Sequence, residues 1–190
     1  MNKVEAIRTV LDHAADAPVV FTTGYACRIA RGIADRPGHF YMTGSMGLAS
    51  SIGAGLALQT GRTAIVVDGD GSVLMNPVGL LTVGALAALP LLQVVLDDGR
   101  YASTGGQAVP SRRVDLGALA GACGYRSVYE TDRVEELAEL LDAALPHCPG
   151  PVFVRCDLRE PDPPVAPRID ADLPAHAARF ARHVSTLGAG

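Results

Sequence analysis

The chain has 190 residues, 48% hydrophobic and 19% charged, with a net charge of -4, proportions that suit one globular domain with a sizeable core. Lys3 is its only lysine and its arginines are scattered, so no basic block marks a nucleic-acid partner. The longest apolar runs, such as Ala85 to Leu92 with Pro90 inside it, are too short to span a bilayer; with no signal-peptide pattern at the start, no membrane partner and a cytoplasmic location are expected.

Along the chain, short β-rich runs recur at Val19 to Thr22, Phe40 to Met42, Ala64 to Val67, Leu92 to Leu96 and Val152 to Cys156. Each run is followed by a glycine or small polar loop. A first helix holds Glu5, and the segments Arg28 to Ala34, Leu48 to Gln59, Val78 to Leu89, Leu116 to Cys123 and Val134 to Leu145 have helical composition. This alternation predicts an α/β fold, a doubly wound and mostly parallel sheet with helices on both faces. Arg126 to Tyr129 adds a possible short strand, and Thr131 or Asp132 is placed to cap the helix from Val134, with Glu135 and Glu136 in its first turn. Cys27, Cys123, Cys148 and Cys156 show no C-x-x-C spacing and read as small core fillers. From Asp157 the texture changes. Pro161, Pro163, Pro164 and Pro167 interrupt regular structure before a possible terminal helix from Pro174 to Val184, which gives a domain over 1–157 and a Pro-rich tail over 158–190. The tail is either a disordered end or an arm on a partner subunit.

Two loops carry the chemistry. Gly69-Asp70-Gly71-Ser72 follows a buried strand, so Asp70 emerges at the strand's carboxyl end, where open parallel sheets bind ligands. The glycines let backbone approach a ligand, and Ser72 opens a helix whose free N–H groups favour an anion. Leu96-Asp97-Asp98-Gly99-Arg100-Tyr101 closes the next apolar run and brings a second acid to the same rim, the oxygen-rich set that a magnesium ion bound to phosphates recruits. The plainer alternative for each loop is a common Asp-Gly turn or a helix N-cap. A third stretch, Gly44 to Gly55, is dominated by small residues. Its Gly53-x-Gly55 lies inside a helix and lacks the third glycine of a dinucleotide fingerprint, so it reads as tight helix packing.

These motifs resemble the diphosphate-binding domain of thiamine diphosphate enzymes. More narrowly, Gly44-Ser45-Met46-Gly47, Gly69-Asp70-Gly71-Ser72 and Tyr101-Ala102-Ser103-Thr104-Gly105-Gly106-Gln107 resemble the decarboxylases of 3-phosphonopyruvate and 3-sulfopyruvate, over roughly residues 15 to 157. The resemblance implies thiamine diphosphate and Mg²⁺ as cofactors. Asp70, Asp98 in the place of the family's asparagine, and the Arg100 carbonyl would be the metal ligands. The cofactor-binding set would be Thr22, Thr23, Gly24, Gly44, Ser45, Met46, Gly69, Asp70, Gly71, Ser72, Asp98, Arg100 and Tyr101. Met46 matches the apolar prop for the bent cofactor, and the Gly44 carbonyl matches the acceptor for its pyrimidine amine, so these two take the catalytic places.

The family's activating glutamate belongs to a pyrimidine-binding domain, and no glutamate here fits it. The expectation is a split enzyme, with this chain as β subunit in a hetero-oligomer beside a separate α subunit carrying the pyrimidine domain. Such an enzyme would convert a small 2-oxoacid, 3-phosphonopyruvate or 3-sulfopyruvate, to the aldehyde and CO2. Tyr101 to Gln107 would seal the pocket, and Arg100, Arg112 and Arg113 are candidates for the substrate's anion. The same clamp also serves carboligases and 2-oxoacid oxidoreductase subunits. A regulatory subunit that binds no cofactor is the non-enzymatic alternative.

Overall fold

The computed structural model describes residues 1–164 and 167–187; part of the tail expected over 158–190 therefore lies outside the described residues. The chain opens with α1 (Lys3–His13), started by a capping box in which Asn2 and Glu5 satisfy each other's exposed backbone N–H groups. There follow β1 (Val19–Phe21), α2 (Tyr25–Ile33), β2 (His39–Tyr41), α3 (Ala49–Thr60), β3 (Ala64–Gly69), α4 (Asp70–Met75), α5 (Val78–Gly84) and β4 (Leu91–Asp97). The second half holds β5 (Arg100–Tyr101), β6 (Gln107–Ala108), α6 (Leu116–Cys123), β7 (Ser127–Thr131), α7 (Val134–Ala144), β8 (Val152–Asp157) and α8 (Leu173–Leu187).

Six strands form one parallel sheet in the order β2-β1-β3-β4-β8-β7. The central strands β3 and β4 are buried almost throughout, as a sheet covered on both faces requires. On one face Ile7, Leu11, Phe21, Ile65, Leu92, Leu137 and Leu141 join α1, α2 and α7 to the strands. On the other, Val66, Leu80, Leu91, Val95, Leu116 and Phe153 do the same for α3, α5 and α6. The doubly wound architecture is thus as expected. Winding reverses between β1 and β3, so the crevice between their carboxyl ends is the switch point where such sheets take ligands.

Local differences have local causes. The helix expected over Val78 to Leu89 ends at Gly84, where Gly84 and Gly124 bring α5 against the end of α6 so closely that a Cβ at either would strike backbone. The helix at Val134 takes Arg133 as its N-cap residue with no side-chain cap; Thr131 instead accepts from the Arg133 N–H at 3.1 Å and donates to Glu136 at 2.6 Å. Within the small-residue stretch, Gly53 is the packing residue, since a Cβ there would strike Val66, whereas Gly55 faces open space. Cys27, Cys148 and Cys156 are buried fillers and Cys123 is half-buried.

The tail returns to its own domain. Phe180 of α8 is buried against Phe40, and His176 accepts the Tyr41 N–H at 3.1 Å. His39 is sealed beneath it with Phe21 and Tyr41. No helix among the described residues is long and apolar enough to cross a membrane.

Candidate cofactor and metal site

At the switch point Thr22 follows the end of β1 and Gly69 ends β3, so chain direction alone brings the first loop beside the second. A cavity of about 70 Å³ opens there, lined by Thr22, Thr23, Met46, Gly69 to Ser72, Asp98, Arg100 and Tyr101 among others. Of the expected site residues, Gly24, Gly44 and Ser45 are not in its lining. Gly24 precedes α2 with φ +97, Ser45 holds φ +56, and Gly44 is exposed. A larger groove of about 650 Å³ lies at the opposite, amino-terminal end of the strands, away from both motif loops.

Asp70 opens α4 and is 3% exposed. Its Oδ2 accepts the Gly99 N–H at 3.1 Å, which ties it to the Asp98-Gly99-Arg100 turn, and the Ser111 hydroxyl at 2.7 Å. That hydroxyl also lies 2.9 Å from Asp97 Oδ1, while Arg155 places Nε and Nη2 each 2.7 Å from Asp97 Oδ2. A hydroxyl carries a single proton, so both Ser111 contacts are satisfied only when a second proton sits on one of the acids. Burial pushes the Asp70 carboxyl up to about 7, with the Ser111 bond opposing the rise and Asp97 adding to it.

The expected meeting of Asp70 with Asp98 therefore takes a particular form. Both line the cavity and the Gly99 amide joins their loops, but the acid linked to Asp70 through a side chain is Asp97. Asp98 turns its Oδ2 to the Lys3 ammonium. Burial alone would push that ammonium down; its bonds to Asp162 and Asp98 outweigh this and hold it above the usual lysine value.

The hydroxyl side of the site is built on a buried acid. Ser72 Oγ accepts the Gly47 N–H at 3.1 Å and lies 3.0 Å from Thr22 Oγ1. Behind them Asp68 accepts the Gly69 N–H at 3.0 Å and the Gln93 amide at 3.3 Å; burial pushes its carboxyl up against the hydrogen bonds it receives. Asn76 donates to the Gly47 carbonyl at 3.0 Å, fixing the Gly44 to Gly47 loop over α4.

The loop from Tyr101 is a short hairpin of β5 and β6 whose tip lies over this floor. A Cβ at Gly71 would strike the Tyr101 ring, and one at Gly24 would come to 2.9 Å from Ser103 Oγ. Glycine at both positions is what lets the hairpin close. Arg112 is held by Asp157 at 2.6 Å, so of the three arginine candidates only Arg100 reaches the cavity wall.

The donor set fits a magnesium diphosphate. Asp70 and Asp98 line one cavity with Gly69, Gly71, Thr22 and Ser72 at a sheet switch point, which brings carboxylates, glycines and hydroxyls together. No group of three or more His, Cys, Asp or Glu side chains placed to hold a metal ion by themselves occurs among the described residues. Lys3, Asp68, Asp97, Ser111 and Arg155 were not read from the sequence as part of this site. Lys3 as the sole lysine and Asp97 at a strand end carried a signal; Ser111, far along the chain, carried none.

This chain belongs to the thiamine pyrophosphate enzyme family: residues 22–156 match its C-terminal TPP binding domain. It is 45% identical over 175 residues to the phosphonopyruvate decarboxylase of Streptomyces viridochromogenes, covering 92% of this chain and 44% of that protein. It is 39% identical over 185 residues to the sulfopyruvate decarboxylase subunit beta of Methanothermobacter thermautotrophicus, covering 97% and 96% respectively. It thus spans less than half of the first relative and nearly all of the second. The solved benzoylformate decarboxylase of Polynucleobacter necessarius shares the fold, with a TM-score of 0.69 at 16% identity over 80% of this chain and 32% of that one.

Proposed function

We propose that this chain is the β subunit of a split 2-oxoacid decarboxylase that uses thiamine diphosphate and Mg²⁺ to turn 3-phosphonopyruvate or 3-sulfopyruvate into the aldehyde and CO2. The observation that carries this reading is the convergence of Asp70, the Asp98 to Arg100 turn and the Thr22 and Ser72 hydroxyls on one cavity at the sheet's switch point. Residues 1–157 would form the cofactor domain, with 158–190 as its appendage.

In this reading Asp70, Asp98 and the Arg100 carbonyl hold the ion, while Thr22, Thr23, Gly71 and Ser72 bind the diphosphate. Gly24, Gly69 and Ser45 shape the loops around it. Met46 props the cofactor's bend and the Gly44 carbonyl accepts its amine. Bound there, the cofactor supplies an electron sink for the pair released as CO2 leaves. Tyr101 and Ser103 lie over Gly71 and Gly24, so their hairpin must lift for entry and, once closed again, excludes water from the reacting carbon.

The activating glutamate would come from a separate pyrimidine-domain subunit. Exposed Leu48, Met75, Val78 and Leu81 flank the Met46 loop and offer that subunit an apolar face. The names of the relatives favour decarboxylation over carboligation or oxidoreduction, and the intact clamp argues against a regulatory subunit without cofactor. Four free cysteines suit a reducing cytoplasm.

The test is to co-purify the chain with the product of a neighbouring gene that encodes a pyrimidine domain, and to compare CO2 release from phosphonopyruvate, sulfopyruvate and pyruvate. Release from phosphonopyruvate or sulfopyruvate in preference to pyruvate by the pair, and none by the single chain, is expected. Carbon–carbon bond formation in place of CO2 and aldehyde would overturn the assignment.

A further inference from the structure

Lys3 is the one lysine among 16 basic side chains. It stands in the first turn of α1, is 8% exposed, and lines the same cavity as Asp70 and Ser72. Its Nζ is paired with Asp98 and lies 2.8 Å from Asp162 Oδ2. Asp162 Oδ1 in turn accepts the backbone N–H of Lys3 at 2.8 Å. Asp162 thus grips residue 3 at both ends, and the Pro-rich segment after β8 becomes a strap that aims one ammonium at the cavity.

Taking an ammonium out of water is costly, and removing one partner of a buried pair leaves the other charge uncompensated. The placement has a reason in the cavity. Asparagine at position 98 would be neutral, whereas aspartate adds a negative charge beside the place proposed for a diphosphate. We propose that Lys3 is a cofactor-site residue whose ammonium offsets the negative charge that Asp98 presents to the diphosphate, with Asp162 as its positioning residue. The inference rests on the site reading given above and assigns a binding role to the first turn of α1 and to the segment after β8.

The test is calorimetric titration of thiamine diphosphate, at saturating Mg²⁺, into the full chain with any subunit that co-purifies with it. Lys3→Met is expected to weaken binding about tenfold or more in the natural background and several-fold less in an Asp98→Asn background, so that the double variant Lys3→Met/Asp98→Asn binds more tightly than Lys3→Met alone. Strictly additive effects, or an indifferent Lys3→Met, overturn the inference. If Lys3→Met fails to fold, Asp162→Asn carries the test. Because Lys3 is the sole lysine, acylation of its amine located by mass spectrometry reports its release directly: faster acylation together with weaker binding supports the proposal, and unchanged binding overturns it. Asp70→Ala separates this inference from its foundation. Loss of binding there with Lys3→Met indifferent removes the Lys3 role alone, whereas a natural chain that takes up no thiamine diphosphate overturns the site reading and this inference together.

Discussion

At Asp70 a buried carboxylate shares one hydroxyl with Asp97, and Arg155 anchors the far side of that chain. Removing Ser111 leaves two buried acids facing each other without the donor between them. Ser111→Ala is therefore expected to lower the unfolding free energy by about 1–3 kcal/mol, read as a shift of the urea midpoint at unchanged slope. An unchanged midpoint would show that the hydroxyl bridges nothing of consequence. Asp70 was legible in the sequence because a strand end, two glycines and a helix start fix where it points. Ser111 was not: it enters through a loop 41 residues on, and no periodicity records a contact of that range. Asp98 was legible as a residue at the rim but not in its orientation, which Lys3 decides from 95 residues away.

Among the elements, β2 buries a titratable side chain, His39. His39 is 2% exposed, with Nδ1 3.1 Å from the Ala34 carbonyl and also 3.1 Å from Tyr41 Oη. Burial pushes its pKa down to about 4; the Ala34 carbonyl and Asp35 oppose this, while Arg36 and Arg179 add to it. The folded state therefore keeps His39 neutral while the unfolded chain takes up a proton near its ordinary value of 6.5. The resulting stability is fully present above pH ~6.5 and is lost as pH falls from there to ~4, by at most about 3 kcal/mol. Unfolding curves of the natural chain and His39→Gln, measured at steps across that window, should draw together as pH falls. Parallel losses would place the sensitivity elsewhere, for instance in His176, which burial also holds low. The strands were legible because buried β-branched runs admit little else, and the helices because they alternate with them. Boundaries moved where two glycines met in space, at Gly84 and Gly124, and the cap at Val134 moved because Thr131 turned its hydroxyl to Glu136. The return of α8 onto β2 depends on Phe180 and His176 finding Phe40 and Tyr41, a long-range choice that composition does not encode.

For the whole molecule, the sheet order makes one crevice, and both motif loops open into it. The family pattern in the sequence pointed to the thiamine pyrophosphate-binding domain that residues 22–156 match; the strap from the Pro-rich segment through Asp162 to Lys3 and Asp98 became visible only in three dimensions. The account rests on a divalent cation held between Asp70 and the Asp98 to Arg100 turn. Mn²⁺ accepts the same oxygen donors as Mg²⁺ and scatters anomalously, so crystals of the assembled enzyme grown with thiamine diphosphate and Mn²⁺ report its place directly. One anomalous peak is expected within coordination distance of an Asp70 carboxylate oxygen and of the turn. Cofactor density with the peak absent from that position, or bound to other side chains, would contradict the account.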